Sequence, residues 1–238
     1  MERSIGVLPR SPARDVHYPS DVLAVDVPDL AASTPLWLGL ATVFVNAVLG
    51  ALRGYADDTR RWDIVGVAVF ALLMGLGGGF IRDLLLGNLP AESLREPWYV
   101  AAVAAAVVVV AATHRWMHRI APLTRLGEAV GLGLFAVVGV AYAREAGLPP
   151  LNTVLIGTLS AVGGGMLVSV LQGQVPRVLL ASTPHALLAV VGSATYAVAA
   201  PWRSDAASFA GIAVVVVAQY LVDHFGVETR PAAPRSRT

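Results

Sequence analysis

Seven apolar stretches separated by short polar breaks run along this chain, and most approach the ~20 residues that an α-helix needs to cross hydrocarbon. They extend from Pro35 to about Arg53, Trp62 to about Gly87, Trp98 to Thr113, Leu126 to Tyr142, Pro149 or Pro150 to about Gly173, Pro184 to Pro201, and Ala206 to Val222. The breaks collect the charge: Asp57, Asp58, Arg60 and Arg61 follow the first stretch, and Glu92, Arg95 and Glu96 follow the second. This pattern predicts an all-α integral membrane fold with seven transmembrane helices over residues 34–225. Residues 1–33 carry Pro9, Pro12, Pro19 and Pro28 among scattered charges, with no apolar run of signal-peptide length. That segment and residues 226–238 are expected to be disordered tails.

Composition points the same way. The chain is 56% hydrophobic and 14% charged, against about a quarter charged in soluble domains. A net charge of +1, without a basic block interleaved with aromatics, excludes nucleic acid as a partner. The absence of cysteine excludes disulfides, thiolate chemistry and Cys-based metal sites.

The second stretch breaks its own apolar pattern. It contains Gly77, Gly78 and Gly79, then Arg82 and Asp83, within the segment GGGFIRDLLLGNLP that ends at Pro90. Each glycine weakens a helix interior by about 1 kcal/mol, and a charge at membrane depth costs roughly 2.5 to 3.5 kcal/mol. Packing or function must offset both. From Trp62 to Gly87 a straight helix would measure roughly 39 Å, longer than the ~30 Å hydrocarbon core, and a kink at the glycines would absorb the excess.

The pattern returns 86 positions later as GGGMLVSVLQGQVP, from Gly163, Gly164 and Gly165 to Pro176. The chain is therefore an internal duplication, with copies at about 35–114 and 124–202 and a seventh helix at about 206–224. A three-span unit enters the membrane upside down the second time. The result is a 3+3 inverted-topology repeat, an architecture in which broken helices surround an ion or solute path. Leaving out Arg82, six arginines fall on the side of the N-terminus and ten on the other. The positive-inside rule then predicts a multi-pass protein of a bacterial plasma membrane, N-terminus outside and C-terminus cytoplasmic.

A glycine triplet serves a path in two ways: it lets the helix unwind so that carbonyls face a cavity, and it lets neighbouring helices approach closely. Tight packing without permeation is the plainer alternative. Helical side chains lean toward the N-terminus, so Arg82 is expected over Gly78 and Gly79, and Asp83 over Gly79. The two are about 100° apart on a regular helix. One is expected to face the cavity while the other pairs with a neighbouring helix; a buried structural ion pair is the alternative.

The segment GGGFIRDLLLGNLP, preceded by Trp62-Asp63-Ile64-Val65-Gly66, resembles the prokaryotic trimeric intracellular cation (TRIC) channels and the related uncharacterised bacterial membrane proteins. The resemblance covers roughly Pro35 to Val222. It implies a homotrimer in which each protomer has its own pore, bounded by the kinked second and fifth helices, passing monovalent cations such as potassium. One departure stands out. Where the family often repeats an Arg-Asp pair in the second copy, this chain has Val168 and Ser169, which predicts an uncharged second half-site.

Several further polar residues fall inside spans. Asn46 is expected to make an interhelical hydrogen bond or to line the pore. Thr158, Ser160 and Ser169 lie beside the second triplet, where their hydroxyls can face a cavity or bond back to their own helix. Gly50 with Gly54, and Gly127 with Gly131, have small-xxx-small spacing suited to packing. Arg115, Arg119 and Arg125 form a cytoplasmic patch suited to anionic lipid headgroups. His114 and His118 have metal-ligand spacing without a third ligand, so no metal site and no cofactor is expected. No nucleophile with its base, P-loop or dinucleotide fingerprint occurs, which argues against an enzyme. These features favour a cation channel with its path along the glycine triplets, Arg82 and Asp83 tuning its electrostatics. The rivals are an alternating-access carrier of a small zwitterion such as glycine, and a non-conducting scaffold.

Overall fold

A computed structural model describes residues 34–57, 60–113, 121–180, 184–201 and 204–229. His114, Arg115, His118 and Arg119 lie outside the described residues, as does residue range 1–33. The helices are α1 (Leu36–Tyr55), α2 (Ile64–Leu86), α3 (Glu92–Arg95), α4 (Pro97–Thr113), α5 (Ala121–Glu145), α6 (Pro150–Leu171), α7 (His185–Ala199) and α8 (Ser204–Phe225), with a 3-10 turn at Arg177–Leu179. Five of them, α1, α2, α5, α6 and α8, are long and apolar enough to cross a membrane, while α4 and α7 are shorter apolar helices. The fold is thus all-α and multi-pass. Helix α7 has 15 residues, roughly 22 Å of helix, because Pro184 and Pro201 bracket it.

Local chemistry sets the helix ends. Asp63 caps α2, its carboxylate accepting from the Gly66 N–H at 2.8 Å, so the helix starts at Ile64 rather than at Trp62. Trp62 instead donates its indole N–H to Asp57 at 2.7 Å. At the other end, Gly87 takes φ of 71° and its repeat-mate Gly173 takes 69°. Only a residue without Cβ adopts this left-handed conformation at no steric cost. The N–H of Asn88 then bonds back to the carbonyl of Asp83 at 2.8 Å, and that of Gln174 to the carbonyl of Ser169 at 2.9 Å. Both copies close their glycine helix with the same hydrogen bond. The polar turn expected after α2 contains one turn of helix, α3.

Helix α5 is the centre of the bundle: 78% of its most apolar window is buried inside the protein, against 22% for α8. Lipid tails are as apolar as the helices, so association rests on close van der Waals packing. The sequence supplies this with small residues. A Cβ on Gly50 would collide with the Phe70 carbonyl, one on Gly54 would lie 3.1 Å from Val67, and one on Gly131 would lie 2.7 Å from Asn46. The small-xxx-small pairs therefore pack, as their spacing predicts.

Candidate functional site

Both glycine triplets lie where α2 crosses α6. Helical structure continues through each triplet, so the glycines serve close approach rather than unwinding. A Cβ on Gly78 would strike the carbonyl oxygen of Ser160, and one on Gly164 would lie 2.7 Å from the carbonyl oxygen of Met74. One on Gly77 would lie 2.7 Å from Leu167, and one on Gly163 would lie 2.6 Å from Ile81. These contacts are reciprocal: Gly78 and Gly164, Met74 and Ser160, Gly77 and Gly163, Ile81 and Leu167 all differ by 86 positions. The last glycine of each triplet is different. A Cβ on Gly79 would meet nothing within 4 Å, and one on Gly165 would meet only Arg53 Nη1, at 3.8 Å.

Gly79 and Gly165 each line a cavity. The first, about 30 Å³, is bordered by Thr42, Gly79, Arg82, Glu92, Tyr99 and Tyr142 among others. The second, about 80 Å³, is bordered by Asn46, Arg53, Glu128, Gly165, Ser169 and His185 among others. Each has room for a few waters. The two cavities are also related by the 86-residue offset: Thr42 corresponds to Glu128, Gly75 to Ala161, Gly79 to Gly165, Glu92 to Val178 and Tyr99 to His185. Phe135 borders both cavities. Nothing in the apolar pattern distinguishes Phe135 from its neighbours, and sequence reasoning missed it.

Arg82 borders the first cavity, and with Asp83 it forms the buried ion pair of the alternative reading. Arg82 donates from Nε to Asp83 Oδ1 at 2.7 Å, and its Nη2 lies 2.7 Å from the same oxygen. Asp83 Oδ2 accepts the Glu92 backbone N–H at 2.9 Å. The guanidinium also sits 3.6 Å from the ring centroid of Tyr142 on α5, a cation–π contact. The pair thus ties α2 to α3 and α5. It is buried, with side-chain exposures of 6% and 1%.

The second half-site is not uncharged. Val168 is fully buried, as an apolar replacement for arginine should be, but α1 and α5 supply another ion pair. Arg53 Nη2 lies 3.5 Å from Glu128 Oε1, and both side chains are about a third exposed, at 29% and 32%. The sequence reading missed this pair because Arg53 and Glu128 lie on different helices, 75 positions apart.

The remaining candidates separate cleanly. Asn46 donates to the carbonyl of Thr42 at 2.9 Å and, across to α5, to that of Gly131 at 3.3 Å; it also borders the second cavity. Thr158 and Ser169 bond back to the carbonyls of Val154 and Gly165, at 2.8 and 2.9 Å. Ser160 is fully buried and its hydroxyl has no partner among the described residues. Arg125 is exposed in a groove with Gln219, Tyr220 and Asp223. No group of three or more metal-ligating side chains occurs among the described residues. Asn46→Ala is expected to lower stability by about 0.6 to 2 kcal/mol, the range for interhelical hydrogen bonds in membranes. Thermal unfolding in detergent would measure it.

Comparison with known proteins gives the family. The profile described as "Glycine transporter" matches residues 36–115 and 125–201, and the chain belongs to that family. It is 37% identical over 131 residues to a UPF0126 membrane protein of Deinococcus radiodurans, covering 55% of this chain and 60% of that protein. It is 31% identical over 138 residues to the UPF0126 inner membrane protein YadS of Escherichia coli, covering 55% of this chain and 62% of that protein. The matches thus span about 60% of the length of these relatives. A solved TRIC cation channel aligns over 82% of this chain and 98% of its own, with a TM-score of 0.72 and 26% identity. The TRIC orthologue of Rhodobacter sphaeroides aligns over 81% and 98%, at 0.70 and 29%. The likeness to TRIC channels expected from the glycine motif is thus found in both sequence and structure. This is a multi-pass bacterial membrane protein, and channel-family likeness agrees with a non-enzymatic role.

Proposed function

We propose that the chain is one protomer of a monovalent cation channel, potassium-permeable, with its path along α2 and α6 inside the protomer. The observation that carries this reading is the pair of offset-related cavities flanking the glycine crossing, each bordered by charged side chains, in a fold similar to solved cation channels. In this reading α1, α2 and α4 form the first copy of an inverted repeat, α5, α6 and α7 the second, and α8 the added seventh span. The reciprocity of the α2–α6 contacts is what a two-fold relation between the copies produces. The N-terminus lies outside, the C-terminus in the cytoplasm, and three copies associate as in the TRIC channels. Bending at Gly77–Gly79 and Gly163–Gly165 joins the cavities past Phe135. Arg125 meets lipid headgroups.

A second reading has its own observation. The family profile is described as a glycine transporter, and two cavities separated by a closed crossing also suit alternating access, with paired charges to hold a zwitterion. Potassium flux into liposomes containing the purified protein is the deciding experiment. Robust flux with no saturable uptake of labelled glycine is the expected result. Saturable glycine uptake without potassium current would establish the carrier, and no flux of either solute would establish a non-conducting scaffold.

A further inference from the structure

Two ion pairs among the described residues, Arg82–Asp83 and Arg53–Glu128, differ in the respects that matter for a charge beside a permeation path. Arg82–Asp83 is short, buried and held on further sides by the Glu92 N–H and the Tyr142 ring. Its partners leave it no second arrangement without exposing a buried charge. Arg53–Glu128 is longer, at 3.5 Å, and about a third exposed on both sides. It joins residues of two different helices and lies on the wall of the larger cavity. There Arg53 reaches toward Gly165, the one glycine of its triplet that faces open space. Among the described residues of this wall Glu128 is the one carboxylate, and it stands beside Arg53.

We infer that Arg53–Glu128 is the charge filter of the path, with Glu128 admitting cations by neutralising Arg53, and that Arg82–Asp83 is structural. The inference rests on the channel reading above. Its chemistry is direct: with Glu128 ionised, the positive potential of Arg53 is reduced where a cation passes Gly165; with Glu128 neutral, Arg53 repels the ion. The position also explains how the chain dispenses with an Arg-Asp pair at Val168 and Ser169. Glu128 corresponds to Thr42 of the first copy, so the second half-site takes its charges from α1 and α5 rather than from its glycine helix α6.

The test is reversal potential and flux in liposomes under a potassium chloride gradient, for wild type, Glu128→Gln, Arg53→Gln and the double neutral variant. Glu128→Gln is expected to lower the potassium-to-chloride permeability ratio about tenfold, the change that ~1.4 kcal/mol of barrier produces. Arg53→Gln is expected to raise the ratio, and the double variant to return it toward the wild-type value. That rescue is a readout that a packing role would not give. Should Glu128→Gln fail to fold, the rise in Arg53→Gln alone decides. Wild-type flux with an unchanged ratio in the single variants would overturn the inference and leave the channel reading standing. Absence of wild-type flux would overturn the channel reading and the filter with it.

Discussion

Alanine at Gly78 is expected to destabilise the protein by about 1 to 3 kcal/mol or more, the range for overpacking a close-packed interior, while alanine at the adjacent Gly79 stabilises it slightly. Helix propensity alone favours alanine at both positions by about 1 kcal/mol. What separates them is the neighbour. The new methyl at Gly78 collides with the Ser160 carbonyl, part of the α6 backbone, with a Phe135 ring carbon also within 3.2 Å. A backbone oxygen cannot rotate away as a side chain can, so α2 and α6 must separate. At Gly79 the methyl enters open space. Thermal unfolding of the two variants in detergent measures the difference directly. Conduction is expected to reverse the order of interest: a leucine at Gly79 occupies the cavity beside Arg82 and blocks flux in a stable protein. Equal stability of the Gly78 and Gly79 alanine variants would show that the crossing is not held by these glycines.

The contrast between adjacent glycines marks the limit of what the sequence makes legible. The all-α, multi-pass class and the approximate helix ends follow from apolar runs and their prolines, and Gly87 and Gly173 are recognisable as helix stops. The duplication is legible too, because an offset of 86 residues preserves the spacing from Gly77 to Pro90 and from Gly163 to Pro176. The triplets stand out, but all three glycines of each look alike in a sequence. Only the facing helix makes the first two contact residues and leaves the third on a cavity. Side-chain pairing is hidden for a different reason. Arg82 and Asp83 lie about 100° apart on a helix, and that angle argues against contact. The reach of arginine and the turn into α3 bring the groups together. Arg53 and Glu128 sit 75 positions apart on different helices, and no local pattern connects them. A substitution that removes an expected charge, as Val168 and Ser169 do, says nothing of a charge supplied from elsewhere.

Asp83→Asn is expected to lower stability by about 3 to 5 kcal/mol, the loss that follows when one partner of a buried ion pair is removed. Arg82 is 5% exposed, so its charge, left unpaired, stays largely shielded from bulk water. Its contact with the Tyr142 ring offers ~2 kcal/mol or more when desolvated, too little to replace a carboxylate. The asparagine retains an oxygen for the Glu92 N–H, which separates the lost charge from the lost hydrogen bond. The double variant Arg82→Met/Asp83→Asn provides the control. It removes both charges, keeps an acceptor at position 83 and leaves an unbranched apolar side chain against Tyr142. Buried ion pairs replaced together by apolar groups often cost little, so this variant is expected to be more stable than Asp83→Asn alone. Unfolding in detergent of the wild type, both single variants and the double completes a mutant cycle, whose coupling is expected to be strongly favourable to the pair. If the double variant also conducts potassium with wild-type selectivity, Arg82 and Asp83 position α2, α3 and α5 and take no part in choosing the ion. If it melts like wild type but loses selectivity, the filter lies here rather than at Glu128.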